Sequence, residues 1–429
     1  MKLNLKPFLL FGFLIGAALA TGRDLFSQLA YLMGAVIGLS FLWTWYSLRW
    51  VTLERHERAL RTQVGRIHEE RLVLHNPGTL PKLWVEVRDH SDLPNHAAGR
   101  VIDFLPGQGQ RSWIVRTVCM QRGRFTLGPI TLRSSDPFGI FESTRTLNVV
   151  EHLVVWPQTV DLPTFAPPIG RLTGGEALQR RTHHITTNVA GVREYYPGDS
   201  FNRIHWKSTA RHDRLIVKEF ELDPSADIWL FLDMDKGVQT GAPKSEAEDT
   251  TILPLWVAQA HTEIEPTTEE YGVVVTASIA KHFLAKGKSV GLITYGQRRE
   301  VIMADRGERQ LNKILEALAV IRAVGTVPIA EVLATEGRTF GRNVTVVVVT
   351  PSVWTDWVGL MRDMARRSLQ PVAAVVDAQS FGGPAGNSNE VKAALLYSSV
   401  PLYVVKNGDN LAGALSQKFT AGRFPITTG

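Results

Sequence analysis

The sequence predicts a membrane-anchored α/β protein, in which an N-terminal transmembrane helical hairpin precedes a small β domain and a larger parallel α/β domain. Three observations predict it: a long uncharged apolar segment, a region of short alternating strands, and a region where apolar strands alternate with helices. At 429 residues the chain is long enough for two separate cores. The hairpin is assigned to residues 1–50, the β domain to 51–156, a linker with a charged motif to 157–226, and the α/β domain to 227–421.

The membrane anchor is predicted from residues 25–48, which contain no charged side chain. At about 1.5 Å per residue such a helix crosses a hydrocarbon core of about 30 Å, and Trp43 and Trp45 near its end are typical of a membrane interface. A shorter apolar run, residues 8–22, lies just before it, which predicts a hairpin of two spans. A signal peptide is the alternative for this first run, because Ala18-Leu19-Ala20 resembles a cleavage site.

Basic residues after the second apolar segment predict the orientation. Because basic residues close to a span stay on the cytoplasmic side, we expect the soluble domains in the cytoplasm under either interpretation of the first run. This topology accounts for part of the net charge of +6, so the charge alone does not indicate nucleic-acid binding. The single cysteine, Cys119, excludes a disulfide framework. The basic residues are Arg49, Arg55, Arg58, Arg61 and Arg66.

Short runs with apolar residues at alternate positions follow the anchor, separated by turn sequences such as Asn76-Pro77-Gly78. Strands of this length without helical patterns between them predict a small antiparallel β-sandwich or barrel. The histidines His75, His90 and His96 show no metal-ligand spacing, and we expect them at the surface. The runs are LWVEVRD, SWIVRTVCM, FTLGPITLR and LNVVEHLVVWP.

Compact apolar runs alternate with helical patterns from Asp227 to Ala421, which predicts parallel strands buried on both faces. Ligands of such folds bind beyond the carboxyl ends of the strands, so a functional site is expected at that edge. The runs are DIWLFLDMD, SVGLITYG, VTVVVVT, PVAAVVD and PLYVV.

Polar side chains stand at this edge on three segments. Asp233 and Asp235 follow the first strand, Thr326 lies in a loop after a helix, and Thr350 ends the strand VTVVVVT. We expect Asp233 to be exposed at the tip of its strand. Hard oxygen ligands from separate loops suit Mg²⁺. The same residue types also occur as caps of the following helices, and both interpretations stay open.

The segment from Gly191 to Glu221 mixes six basic and five acidic residues, which nearly cancel and do not suit a phosphate groove. It predicts a turn at Pro197-Gly198-Asp199, a short helix containing Ile204 and Trp206, and a strand LIVKEF. We expect Trp206 to pack beneath this short helix. Ion pairs between its arginines and glutamates would hold the helix to the strand, and we interpret the segment as a structural and partner-docking element. The residues assigned to this role are Arg193, Tyr195, Pro197, Gly198, Asp199, Ile204, Trp206, Lys218, Glu219 and Glu221.

The same segment, VREYYPGDSFNRIHWKSTARHDRLIVKEFE, closely resembles the signature of the bacterial "domain of unknown function 58" family. The upstream stretch RGRFTLGPITLRSSDPFGIFE resembles that family's second motif. The resemblance covers almost the whole chain. It implies a multi-pass protein of the bacterial plasma membrane with a C-terminal domain similar to von Willebrand factor type A, acting with a MoxR-type AAA ATPase.

The von Willebrand resemblance also implies a metal site, and this sequence departs from its pattern. Asp233 matches the first aspartate and Thr326 matches the loop threonine. Asp235 and Gly237 stand where the pattern has serines, and Pro351 stands where its last aspartate is expected. The resemblance therefore implies a degenerate Mg²⁺ site that binds weakly or not at all, and no other cofactor is expected.

The sequence leaves two functions open. The first is a non-enzymatic, membrane-tethered adaptor that acts with a MoxR-type ATPase in the maturation of the cell envelope or of protein complexes. The alternative is a Mg²⁺-dependent phosphatase, because WLFLDMDKG resembles the first motif of the haloacid-dehalogenase family. Asp233 would then be the nucleophile, Asp235 the acid and Thr350 the second motif, with Asp377 as the one downstream carboxylate.

Overall fold

The computed structural model describes residues 2–57, 59–165, 189–196, 204–212, 214–220, 227–242, 263–341, 344–383 and 388–417. The chain divides into two compact units. The first comprises Met1–Pro157 and Asp249–Glu263, and the second comprises Gln158–Glu248 and Ile264–Gly429.

Two apolar helices open the first unit, Lys6–Thr21 and Asp24–Ser47. The first ends at Gly22, whose φ of 62° is the left-handed conformation that glycine adopts without strain. The second has 24 residues, about 36 Å of helix, and is the one described helix long and apolar enough to cross a membrane. Its buried residues are all small, namely Ala30, Ser40, Thr44 and Ser47.

The remainder of the first unit is built of strands in three sheets. Their orders are β1-β10-β9-β5-β6, β2-β4-β7 and β3-β11-β8, and all pairs are antiparallel except β3 with β11. Alternate residues of the first two sheets, among them Leu72, Leu74, Val85 and Leu132, share one buried core. All four runs quoted from the sequence form strands. The strands are β1 (Lys2–Leu3), β2 (Thr52–Glu57), β3 (Arg61–Gln63), β4 (Ile67–Asn76), β5 (Lys82–Asp89), β6 (Arg100–Leu105), β7 (Gly109–Val118), β8 (Gly123–Leu127), β9 (Ile130–Ser135), β10 (Phe141–Leu147) and β11 (Glu151–Trp156).

The second unit contains a two-stranded hairpin and a six-stranded sheet. In the hairpin, β12 (Val189–Glu194) and β13 (Ile216–Phe220) pair antiparallel, and the helix Trp206–His212 lies between them in the chain. The sheet has the order β16-β15-β14-β17-β18-β19 and is parallel except for β16. Its strands are β14 (Ile228–Leu232), β15 (Val290–Tyr295), β16 (Arg299–Asp305), β17 (Thr345–Thr350), β18 (Gln370–Val376) and β19 (Leu402–Val405).

Helices cover the faces of this sheet, which explains why its central strands are apolar throughout. Every residue of β14 and of β17 is buried, as parallel strands between two helical layers require. Trp357 is one of the fully buried helical side chains in this core. The helices are Thr268–Ala285, Glu308–Val320, Ile329–Glu336, Asp356–Arg366, Ser388–Tyr397 and Leu411–Ser416, with a short 3₁₀ turn at Ala378–Phe381.

The five strands predicted for this region are present, and β16 is a sixth that was missed. It runs antiparallel at the sheet edge, and most of its residues are only partly covered. Residues 158–165, predicted as part of a linker, pack on the second unit instead. There Phe165 is buried, with its ring centroid 5.8 Å from that of Phe283 and 5.0 Å from that of Tyr403.

Candidate functional site

The strand order places the candidate site at a switch point of the sheet. The chain proceeds outward from β14 through β15 to β16 and then returns to β17 on the other side of β14. The connections that leave β14 and β17 therefore diverge, which opens the crevice where doubly wound sheets bind ligands. Asp233 follows β14 directly and Thr350 ends β17, so the predicted residues do meet at this edge.

Asp233 is a buried internal brace and not an exposed tip, so the expectation of an exposed carboxylate is wrong. Its residue is 3% exposed. Oδ2 accepts a hydrogen bond from the Thr350 hydroxyl at 2.6 Å, and Oδ1 accepts one from the Asp235 amide at 3.1 Å. The carboxyl group thus ties the loop after β14 to the end of β17.

Burial raises the pKa of Asp233 to about 7. The hydrogen bonds from Thr350 and from the Asp235 amide oppose this rise, whereas the negative charges of Asp235 and Asp356 add to it. The raised pKa favours the protonated form of Asp233 at a higher pH than for an exposed aspartate. Asp356, the first residue of the helix after β17, adds a negative charge near Asp233. The sequence pattern places the last aspartate of the site at position 351 and so does not indicate Asp356.

Asp235 and Thr326 are brought together by the backbone. Asp235 forms a parallel bridge with Gly325, and the Gly325 amide donates to the Met234 carbonyl at 3.0 Å. A Cβ at position 325 would overlap the carbonyl oxygen of Tyr295, so this close approach requires glycine. Thr326, the next residue, is exposed.

The Asp235 carboxylate is engaged within its own loop, because Oδ1 accepts from the Gly237 amide at 2.9 Å. Among the described residues no group of three or more His, Cys, Asp or Glu side chains is placed to hold a metal ion. The predicted residues Asp233, Asp235 and Thr326 thus lie at one edge of the sheet. The two carboxylates accept hydrogen bonds from groups within the protein.

The two carboxylates named for the phosphatase alternative are both engaged inside the protein. A nucleophilic carboxylate has to reach a substrate, whereas both oxygens of Asp233 accept hydrogen bonds inside the protein. Asp377, the downstream carboxylate, is also engaged. It accepts from Lys392 Nζ at 2.8 Å and from the Ser388 hydroxyl at 3.0 Å, in a buried ion pair.

Apolar side chains are exposed around this edge. Trp354, on the loop after β17, is 63% exposed. Val324, on the loop that pairs with Asp235, is also exposed. Large apolar groups that face solvent beside a polar crevice are typical of surfaces that bind another protein.

The charged segment forms the β12–β13 hairpin and the helix between its strands. Tyr195 donates its amide to the Leu215 carbonyl at 2.9 Å, and Ile216 donates its amide to the Thr209 hydroxyl at 3.1 Å. The first bond extends the pairing of the two strands, and the second holds the helix to β13. Among the described residues of this segment, an ion pair joins Arg214 to Glu194, and the Arg193 guanidinium donates to the Glu194 carbonyl at 2.9 Å.

Two predictions for this segment are wrong. Ile204 lies before the helix, where it is buried and forms an antiparallel bridge with Val217. Trp206 begins the helix and is 67% exposed, so it does not pack beneath the helix. The backbones of Lys218 and Glu219 pair with Val192 and Gly191. The predictions for Pro197, Gly198, Asp199 and Glu221 lie outside the described residues.

A cluster of ionisable side chains is buried in the first unit, which corrects the expectation that His96 lies at the surface. Arg55 pairs with Glu70 at 3.1 Å and with Asp89 at 3.0 Å, and His96 Nε2 lies 3.2 Å from Glu70 and 3.3 Å from Asp89. Burial alone would lower the pKa of His96, but the hydrogen bonds to Asp89 and Glu70 outweigh it and raise the pKa to about 9. The four charges balance, so the cluster is a structural element of the core.

Comparison with known proteins agrees with the resemblance found in the charged segment. The family model of DUF58, described as a protein of unknown function, matches residues 191–258. The uncharacterised protein YeaD of Bacillus subtilis (strain 168) is 26% identical over 256 residues, which cover 58% of this chain and 57% of YeaD. The match thus spans little more than half the length of that relative.

Two solved structures are similar over part of the chain. BatB of Bacteroides thetaiotaomicron, a conserved hypothetical protein, has a TM-score of 0.29 and 14% identity, with 45% of this chain and 96% of BatB covered. The CARDB domain of PF1109 from Pyrococcus furiosus has a TM-score of 0.19 and 14% identity, with 24% of this chain and 86% of that domain covered. Scores this low do not bear on the fold or the function.

Proposed function

We propose that this chain is a membrane-anchored adaptor without catalytic activity of its own, and that the carboxyl edge of its six-stranded sheet binds a protein partner. The observation that carries the proposal is the contrast at this edge between a buried carboxyl group and an exposed tryptophan. The acid that chemistry would need, Asp233, is sealed inside the protein, whereas Trp354 is exposed beside it. Tryptophan is enriched among the residues that contribute most to protein interfaces.

The partner proposed is a MoxR-type AAA ATPase, and the α/β unit is proposed to be similar to von Willebrand factor type A. The resemblance of the charged segment to DUF58, which the family model matches over residues 191–258, supports both. The switch point between β14 and β17 supports a binding role for the edge that carries Trp354.

A two-span anchor with cytoplasmic domains completes the proposal. Strand β1 precedes both helices, yet its Lys2 and Leu3 pair with Glu142 and Phe141 of β10. This pairing supports a chain that leaves the β unit, turns at Gly22 and returns to the same side. A reporter fused at Gly429 should be active only in a cytoplasmic format, and periplasmic activity there would contradict this topology.

The adaptor role is tested by affinity capture of the full-length chain from detergent-solubilised membranes. Wild type should retain an AAA ATPase identified by mass spectrometry, and Trp354→Ala should lose it. Tyr397→Ala is the matched control, because Tyr397 is also exposed but ends the helix that leads into β19, at the opposite edge of the sheet. Phosphomonoester hydrolysis that Asp233→Ala abolishes would favour the phosphatase instead.

A further inference from the structure

Contacts of Tyr46 attach the end of the apolar helix Asp24–Ser47 to the β unit. The Tyr46 carbonyl accepts from Lys82 Nζ at 2.6 Å, and its hydroxyl accepts from the Leu80 amide at 3.4 Å. The Lys82 ammonium also lies 3.2 Å from the centroid of the Tyr46 ring. The start of β5 is therefore fixed at the level where the helix ends.

A groove of about 710 Å³ lies between these two elements. Its lining is almost wholly apolar, with Leu39, Leu42 and Trp43 on the helix facing Leu80 and Leu83. The helix side belongs to the last turns of the segment that is long and apolar enough to cross a membrane. The groove thus continues the apolar surface of the helix onto the β unit.

Exposed apolar residues continue beyond the groove on the outer face of β5 and β6, where they stand beside charged residues, since Val101 lies opposite Glu86 and Asp103 is exposed. Leu83 and Phe104 are cross-strand partners, and both point outward while the neighbouring Lys82–Leu105 pair is buried. Trp84 has a φ of 56°, a left-handed conformation that is strained for a bulky residue, and it is 60% exposed. Backbone strain that presents a tryptophan to the outside indicates a functional surface.

Aromatic and basic residues at the helix end fit the headgroup level of a bilayer. The Arg49 guanidinium lies 4.2 Å from the ring centroid of Trp45 and 4.8 Å from that of Trp50. Tryptophan and arginine in such a position are typical of the boundary between acyl chains and phosphates.

We infer that the outer face of β5 and β6, defined by Leu83, Trp84, Val101 and Phe104, is a lipid-binding surface. It lies in the headgroup and acyl boundary of the bilayer into which Asp24–Ser47 inserts, and phospholipid fills the groove beside it. The inference rests on the membrane anchor of the proposed function and is independent of the adaptor role. Such a second contact fixes the orientation of the β unit against the membrane, because a unit held at two separate points cannot tilt freely.

The test is fluorescence quenching in the full-length protein, reconstituted into vesicles of phosphatidylcholine and phosphatidylglycerol. An environment-sensitive label is attached at Leu83→Cys or Phe104→Cys. Ile114→Cys is the control, since Ile114 is an exposed apolar residue of β7 in the other sheet, opposite Arg71. The native Cys119 does not compete for the label, because it is buried and burial raises its pKa to about 12.

Lipids that carry a spin label near the headgroup should quench most of the fluorescence at positions 83 and 104 and leave position 114 unaffected. Iodide in the buffer should give the reverse order. Flotation of the vesicles with the protein checks the anchor separately. If the protein floats but labels 83 and 104 respond like label 114, the lipid surface is wrong and the anchor stands. If the protein does not float, both the anchor and this surface are wrong.

Discussion

Replacing Asp233 by asparagine should make the α/β unit more stable at pH 8. The pKa of this buried carboxyl is raised from 3.8 to about 7, so the folded state binds more protons than the unfolded state between these two values. For an acid shifted in this direction, stability falls as the pH rises through that window. With about 1.4 kcal/mol per pKa unit, the full cost of ionising Asp233 in the folded protein is on the order of 4 kcal/mol.

Asparagine preserves the hydrogen bonds while removing the titration. Its carbonyl accepts from the Asp235 amide, and its NH₂ group donates to the Thr350 hydroxyl, which has a lone pair free to accept. The stability difference between Asp233→Asn and wild type should therefore grow by about 2–3 kcal/mol from pH 5 to pH 8.

Calorimetric melting of the full-length protein in detergent at pH 5 and pH 8 measures this difference. Asp227→Asn is the control, since Asp227 is exposed just before the same strand, and it should show no such dependence. A gap that stays constant with pH, or an Asp233→Asn protein that is less stable at pH 8, would refute the account of a buried brace with a raised pKa. Tight Mg²⁺ binding that Asp233→Asn abolishes would also refute it, because a bound cation holds the carboxylate ionised.

Three further outcomes are expected. In urea unfolding of the β unit, the contribution of His96 to the free energy of unfolding should be fully present below pH 6.5. It should be lost as the pH rises through about 9, because the pKa of His96 is raised, and His96→Gln should remove this dependence. Gly325→Ala should cost about 1–3 kcal/mol, because its Cβ overlaps a backbone carbonyl. Gly341→Ala, whose Cβ meets no atom within 4 Å, is its control in thermal melting. Trp206→Ala should cost less than about 1 kcal/mol as an exposed residue, whereas Ile204→Ala should cost about 2–5 kcal/mol; the reverse order in denaturant titrations would contradict the burial of the two side chains.

The strands of the α/β unit were predictable because each is a continuous apolar run between helical patterns. Runs such as IWLFL and TVVVVT carry that signal in every residue. Strand β16 was not predictable in the same way, because an edge strand buries little of its surface and REVIMAD mixes apolar with charged residues. The placement of Asp233 and Thr350 at one edge followed from the same strand pattern.

The burial of individual side chains was harder to predict from the sequence, because it depends on which neighbours the tertiary fold supplies. Asp233 was expected to be exposed because it follows a strand, yet Thr350 and the Asp235 loop close over it. His96 was expected at the surface because it shows no metal-ligand spacing, but Glu70 and Asp89 come to it from distant strands. Trp206 was expected to pack beneath the short helix, but it is the first residue of that helix and is exposed.

Photo-crosslinking in cells tests the adaptor proposal most directly. A photoreactive phenylalanine analogue is incorporated at position 354 or at position 397, two exposed aromatic sites at opposite edges of the sheet. The proposal expects position 354 to form an adduct with an AAA ATPase that mass spectrometry identifies, and position 397 to form none. An ATPase adduct at position 397 alone, or no protein adduct at position 354, would contradict the claim that the carboxyl edge binds the partner.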